Sequence, residues 1–474
     1  MVVGDITTGT EVLIVGGGPG GYSAAIRAGQ LDLDVTLVEM EAYGGTCLNH
    51  GCIPSKAFVH VTDVAHEAGN AESMGVHADP AVDLSGMVGW KDEVVDQLTG
   101  GVEKLCKGNG VTLVEGRAEF VDESTARIAH AGEGQGSETI EFEHAIVSTG
   151  SRPIQLPGFE FDGEYICSSR VLLGLEELPE SLLVVGGGYI GMELSTVFAK
   201  LGTDVTVVEM LDDILPGYGD DITRIVRKRA ESLGVEFSFG EAASDWHEGH
   251  GGAVVTTEDE EGDTHEYTAD RVLVAVGREP VVDTANLDAI GLEPDDGGFI
   301  ETDDRCRTDV DGVYAVGDVA GEPMLAHKAY AEGYVAAEVI AGEPSAMDHQ
   351  AVPAAVFTDP EIGTVGMTED EAEAAGFNPV VGELPMRASG RALTLGETEG
   401  FVRIVADVES EFVLGGQVVG PDASELIAEI GLAVEMGAQL EDVAGTIHTH
   451  PTLSEAVDEA AANALGEALH TLNR

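Results

Sequence analysis

The chain is poor in positive charge, in cysteine and in aromatic side chains, and it has no long apolar run. Its 474 residues carry 23 lysines and arginines against 87 aspartates and glutamates, a formal net charge of −64. Such a surface repels a nucleic-acid backbone, so nucleic-acid binding is excluded. Only seven of the basic residues are lysine. The carboxylates are dispersed through segments with apolar periodicity, so they do not form a disordered acidic tail. Self-repulsion on this scale opposes a compact state unless salt screens it, the Debye length falling to about 3 Å at 1 M. High solubility alone is the plain reading; a salt-rich cytosol accounts for the scale, and a halophilic protein is expected.

Five cysteines, an odd number in a long chain, do not form a secreted disulfide framework. Cys106, Cys167 and Cys306 stand alone and read as small buried apolar residues. No stretch reaches the roughly 18 apolar residues that span a bilayer, and MVVGDITTGTEVLIVGGG has no basic region followed by a long apolar run. A soluble, cytoplasmic protein with no membrane partner is expected. What the chain has in quantity is glycine, 63 residues, and a hydrophobic fraction of 43%. That supports large cores in two to four domains.

Residues 11–39, EVLIVGGGPGGYSAAIRAGQLDLDVTLVE, read as strand, glycine turn, helix and strand. Gly16 permits the tight turn, Gly18 lets a pyrophosphate approach the backbone, and Gly21 lets helix and strand pack closely. Glu39 closes the second strand, where it can accept ribose hydroxyls. A lone GxGxxG is weak evidence; with both strands and the terminal acid it is strong. Residues 182–209, LLVVGGGYIGMELSTVFAKLGTDVTVVE, repeat the unit, with Gly186, Gly188, Gly191 and Glu209 each 170 positions after their counterparts. Two glycine turns in unrelated folds would not share these flanks, so two dinucleotides are implied. An acid at 209 favours a free 2′-hydroxyl and repels a 2′-phosphate, which points to NAD over NADP.

GGTCLNHGCIPSK, residues 44–56, sets two of the five cysteines five positions apart. Zinc would find Cys47, His50 and Cys52, but no fourth Cys or His at a usual spacing. A structural staple closing so short a loop removes little unfolded-state entropy. A redox disulfide remains. A loop curled at Gly51 brings the cysteines within bonding reach, and Pro54 suits the first turn of a helix beginning near Ser55. Cys52 then lies near a positive helix end that stabilises a thiolate.

This stretch is similar to the redox-active segment of the flavin-dependent disulfide reductases. VSTGS at 147–151, VAVGREP at 274–280, GVYAVGD at 312–318 and HPTLSE at 450–455 extend the resemblance over nearly the whole chain. It implies an α/β protein: two Rossmann-like dinucleotide-binding domains and an α+β dimer-interface domain. The implied division is an FAD domain at 1–152, an NAD domain at 153–280, a central domain at 281–351 completing the FAD site, and a dimerisation domain at 352–474. FAD is implied at the first fingerprint and NAD at the second. Asp318 would bind the ribityl chain or nearby phosphates of FAD, and the Ala118 backbone would touch its adenine side. Further implied cofactor contacts are Gly45, Thr46, Thr149, Gly150, Ala326, Tyr189, Ile190, Gly277 and Arg278.

The resemblance also distributes roles. Cys47 would meet the substrate dithiol and Cys52 would face the flavin. Lys56, one turn on, would reach the flavin edge and pair with Glu193; unaided, the two read as a solvated lysine and an acid favouring a helix dipole. His450 would be the base and Glu455 its orienting acid. An ordinary turn histidine is the plain alternative, and His448 the nearby competitor.

Within the family, MLAHKAYAEG at 324–333 and SGRAL at 389–393 are similar to the branch that oxidises dihydrolipoyl groups with NAD⁺. VVEMLDD lacks the basic residues by which glutathione reductases hold NADP, and no C-terminal cysteine pair of the mercuric-reductase kind is present. Tyr189 departs from the branch, which commonly has an aliphatic residue there. The implied partners are a second copy in a homodimer and the lipoyl domains of 2-oxoacid dehydrogenase or glycine-cleavage complexes. A glutathione-reductase-like enzyme and a flavoprotein redox sensor without turnover are the alternatives; a sensor has no need of the His450–Glu455 pair.

Overall fold

The computed structural model describes residues 7–130 and 136–473. The chain forms two compact units. The first draws on the chain up to Gly163, on Cys167–Leu178 and on Val276–Asp348; the second comprises Glu164–Ile166, Pro179–Ala275 and His349 onward.

In the first unit the apolar run ending at Val15 forms the strand Thr7–Val15, buried because parallel strands flank it on both sides. The parallel order is Thr112–Asp122, Val35–Glu39, Thr7–Val15, Ser137–Val147 and Val313–Ala315. Thr125–His130 pairs antiparallel with the outer parts of the first and fourth of these strands. Leu13, Ile14, Leu37 and Ile146 have no exposed surface; each such side chain contributes about 1.5–3 kcal/mol on burial. The two faces of the sheet serve two apolar clusters, one around Val12 and Leu37 and one around Leu13 and Phe120. Cys106, Cys167 and Cys306 are buried, and burial pushes the Cys106 thiol up to about 11.

The second unit repeats the plan with Glu236–Phe239, Asp204–Glu209, Ser181–Val185 and Arg271–Val274 in parallel. An antiparallel meander, Glu241–Gly249, Gly252–Asp259 and Thr264–Ala269, follows the first of these. The C-terminal part is a five-stranded antiparallel sheet covered by helices Ala423–Met436 and Glu455–Leu465, which share one apolar cluster. Alternating αβ units and then an antiparallel sheet with helices are the architecture expected from the sequence. Among the described residues no helix is long and apolar enough to cross a membrane.

With 87 aspartates and glutamates to 23 lysines and arginines, most carboxylates cannot be matched one to one by a cation. We therefore expect the melting temperature to rise by on the order of 10 °C or more between dilute buffer and molar KCl. An unchanged melting temperature would contradict the screening argument.

Candidate active site

The cysteine segment folds as two helices, not as the loop expected. Gly44, at φ 99°, opens the short helix Gly45–His50, which carries Thr46 and Cys47. Gly51 (φ −130°, ψ −108°) breaks it, and the helix Cys52–Asn70 begins at once. The expected start near Ser55 is thus corrected by three residues. Pro54 fits the first turn because no amide is needed there, and the Ser55 amide donates to the Gly51 carbonyl at 3.0 Å. Cys52 is the first helical residue, closer to the positive end than expected.

Cys47 and Cys52 stand with their Sγ atoms 2.7 Å apart. The Cys47 thiol is pushed well above its ordinary range, first by its hydrogen bond to Cys52 and then by burial, while the Lys56 charge pulls it down. Lys56 stands one turn after Cys52 on the same helix. A tyrosine pair, unforeseen in the sequence, lies in the same electrostatic neighbourhood: the Tyr22 and Tyr330 hydroxyls are 2.6 Å apart. Both phenols are raised, by burial first, with the two cysteines adding to the effect.

The nucleotide turns separate glycines that the fold demands from glycines it does not. A Cβ at Gly21 would lie 1.8 Å from the Gly16 carbonyl oxygen, and one at Gly191 would lie 2.0 Å from that of Gly186. These positions exist for helix-on-turn packing. At Gly18 the nearest atom to a Cβ is 3.9 Å away, and at Gly188 there is none within 4 Å. The protein itself leaves room for a side chain at both, and that room, at the N-terminus of a helix, fits the phosphates of a dinucleotide. Glu39 accepts the Gly17 amide at 2.7 Å and Glu209 the Gly187 amide at 2.6 Å. Each second oxygen takes the amide two residues on, at Glu41 and Leu211. These backbone partners hold the carboxylates at the strand ends and were not visible in the sequence. Tyr189, 47% exposed, and Ile190 open the second helix.

Elsewhere in the first unit, Thr149 donates to the Val281 carbonyl at 2.6 Å, and Gly150 adopts φ 73°. Ser151 Oγ donates to Asp318 and accepts from Arg278 Nε at 2.8 Å, so Asp318 and Arg278 are joined through one serine. Gly277, at φ 130°, accepts the Ile154 amide. Ala118 is buried in the strand Thr112–Asp122, and Ala326 is the first residue of the helix Ala326–Ile340.

In the second unit Glu193 is the fifth residue of its helix, just past the first turn expected for it, and is 4% exposed. Its carboxylate accepts the Phe357 amide at 2.9 Å. His450 Nδ1 lies 2.8 Å from Glu455 Oε1, and the other carboxylate oxygen accepts the Thr452 amide at 2.8 Å. That amide first, and the imidazole after it, hold Glu455 below the usual carboxylate range, so it stays ionised beside the ring. The His450 side chain is 80% exposed, whereas His448 is 8% exposed and tied to Glu429 and the Thr446 carbonyl. Of the two histidines, His450 is the one open to solvent. His470, which the sequence did not single out, binds Glu459 at 2.7 Å one helical turn beyond Glu455.

The first unit therefore contains Cys47, Cys52, Lys56, the first fingerprint and Asp318. The second contains the other fingerprint, Glu193 and the His450–Glu455 pair.

The chain is 70% identical to dihydrolipoyl dehydrogenase 2 of Haloarcula marismortui over 99% of its own length and all of the relative's. It is 70% identical to the dihydrolipoyl dehydrogenase of Halobacterium salinarum over the full length of both. Both sources are halophiles, in line with the charge. The solved structure of LpdA from Mycobacterium tuberculosis superposes with a TM-score of 0.89 at 31% identity, covering 95% of this chain and 99% of that one. Residues 10–333 match the pyridine nucleotide-disulphide oxidoreductase model and residues 352–461 its dimerisation domain. The chain belongs to the pyridine nucleotide-disulphide oxidoreductase family.

Proposed function

We propose that this chain reoxidises dihydrolipoyl groups and delivers their electrons through FAD to NAD⁺. The observation that carries the reading is the pair of cysteine sulfurs 2.7 Å apart, with Cys52 at the start of a helix. Full-length relatives named dihydrolipoyl dehydrogenase support it. FAD, when bound, supplies the electron acceptor that couples thiol chemistry to hydride chemistry. The first fingerprint and Asp318 would hold it, with Lys56 near its reactive edge. The second fingerprint holds NAD, Glu209 taking the ribose hydroxyls.

The thiol chemistry follows from the side chains. Glu455 fixes His450 Nδ1, leaving Nε2 to accept the proton of a dihydrolipoyl thiol. The thiolate attacks Cys47 Sγ of the oxidised pair, the Cys47–Cys52 bond breaks, and Cys52 departs as a thiolate at the positive helix end. The substrate's second thiol then displaces Cys47, closing the lipoyl disulfide and leaving both cysteines reduced.

The working unit is a homodimer in a salt-rich cytoplasm, with His450 supplied by the partner subunit and lipoyl domains as the protein substrate. Exposed apolar side chains of the second unit, Leu432, Met436 and Ile447 at 63%, 73% and 98%, suit such an interface. We assign 1–152 to FAD, 153–280 to NAD, 281–351 to completing the flavin site and 352–474 to dimerisation.

Reduction of NAD⁺ in concentrated KCl tests the function: dihydrolipoamide turns over and glutathione does not. Turnover of glutathione with a preference for NADP would establish the glutathione-reductase-like alternative instead. Glu209→Ala lowers NAD discrimination over NADP by about tenfold, and a basic residue there lowers it further. Native NADP preference in the unmodified protein would contradict that assignment.

A further inference from the structure

Lysine is scarce here, and three of the seven turn inward: Lys91, Lys200 and Lys328, with side chains 9%, 4% and 12% exposed. Lys328 Nζ lies 2.7 Å from Glu332 Oε1 and donates to the Gly321 carbonyl at 3.1 Å. Glu332 Oε2 accepts the Gly317 amide at 2.7 Å. One i,i+4 pair on the helix Ala326–Ile340 thus grips both ends of the turn Gly317–Ala320, whose only acid is Asp318. The middle is fixed as well, because the Val319 carbonyl accepts the Ile300 amide at 2.8 Å. Ser151 Oγ donates to the Asp318 carboxylate itself.

Stability does not account for this pair. Removing both charges from water costs several kcal/mol per ion, and apolar residues of the same volume commonly do as well or better. Burial pushes the Glu332 carboxyl up, the Asp318 charge adds to the push, and Lys328 together with the Gly317 amide offsets it. The pair also differs from a surface i,i+4 pair, which stabilises a helix only slightly. Its particular effect is to fix where the carboxylate of Asp318 stands.

We infer that Lys328 and Glu332 are positioning residues for the flavin, holding the 317–321 turn so that Asp318 meets the ribityl and phosphate region of FAD. This rests on the assignment of Asp318 made above. It names two largely buried side chains as determinants of flavin affinity.

The test measures the FAD dissociation constant of the full-length protein in molar KCl, from the fluorescence of released flavin. Glu332→Gln keeps an acceptor for the Gly317 amide but removes the charge that holds Lys328. Lys328→Met removes the grip on Gly321. Each is expected to weaken FAD binding by about tenfold, and Asp318→Asn by at least as much. Since Glu332 acts through Asp318, adding Glu332→Gln to Asp318→Asn should produce no further loss. Melting of the four apoproteins, measured alongside, should not follow the order of their flavin affinities. Wild-type affinity in both Glu332→Gln and Lys328→Met, with Asp318→Asn weakened, overturns the clamp and leaves the flavin assignment standing. Fully additive losses would make Glu332 a general support of the fold and likewise overturn it. Unchanged affinity in Asp318→Asn overturns the assignment of Asp318 and the clamp with it.

Discussion

Serine at Cys47 or at Cys52 lowers dihydrolipoamide oxidation by a factor on the order of 10⁴ or more, while FAD stays bound. The size follows from the chemistry: with one sulfur gone no disulfide exists to accept two electrons, and an alkoxide cannot replace a thiolate at neutral pH. The two variants differ in spectrum. Cys47→Ser retains Cys52, the thiol at the positive end of its helix and the one assigned to the flavin side, so a thiolate–flavin absorbance band belongs to that variant alone. Cys52→Ser retains a thiol whose proton is held by burial and lacks the band. Absorbance spectra and steady-state turnover of both variants check this, and near-native turnover in either contradicts the exchange mechanism.

Alanine at His450 lowers turnover by roughly 10²–10⁴, the usual range for a positioned base. Glu455→Gln has a smaller effect, because the imidazole remains but its orientation and its charged form lose support. If the base crosses from one subunit to the other's cysteines, the losses at Cys47 and His450 complement each other. In a random mixture of Cys47→Ser and His450→Ala chains about half the dimers are heterodimers, each with one intact site, so roughly a quarter of native activity returns. Refolding the mixed chains in salt, with homodimer controls, provides the assay. No recovery despite heterodimers verified by mass would place the base within its own chain.

Much of this was legible because the family's chemistry is written in short, local patterns. The two fingerprints, the cysteine pair and HPTLSE each lie within one turn or one strand–turn–helix unit, where spacing alone sets which residues meet. Contacts formed across the chain were not legible. Gly17 and Gly187 have no role in the fingerprint spacing, yet their amides hold Glu39 and Glu209. Lys328 and Glu332 have the spacing of any solvated helix pair, and only the packing of the 317–321 turn onto that helix reveals their purpose. Tyr22 and Tyr330 are 308 positions apart, and no periodicity links them. The helix start at Cys52 was misplaced for a different reason. Proline tolerates any position of the first turn, so Pro54 bounds the helix start without fixing it.

The central claim is that Cys47 and Cys52 exchange electrons with a dihydrolipoyl group, and timed alkylation tests it most directly. The air-oxidised holoenzyme is treated with iodoacetamide in molar KCl, before and after one equivalent of dihydrolipoamide without oxygen, and the labelled cysteines are mapped by mass. The account predicts no label on either residue at first, then label on Cys47 ahead of Cys52, and renewed protection of both when NAD⁺ is added before the reagent. Labelling of the pair that dihydrolipoamide and NAD⁺ leave unchanged would contradict it.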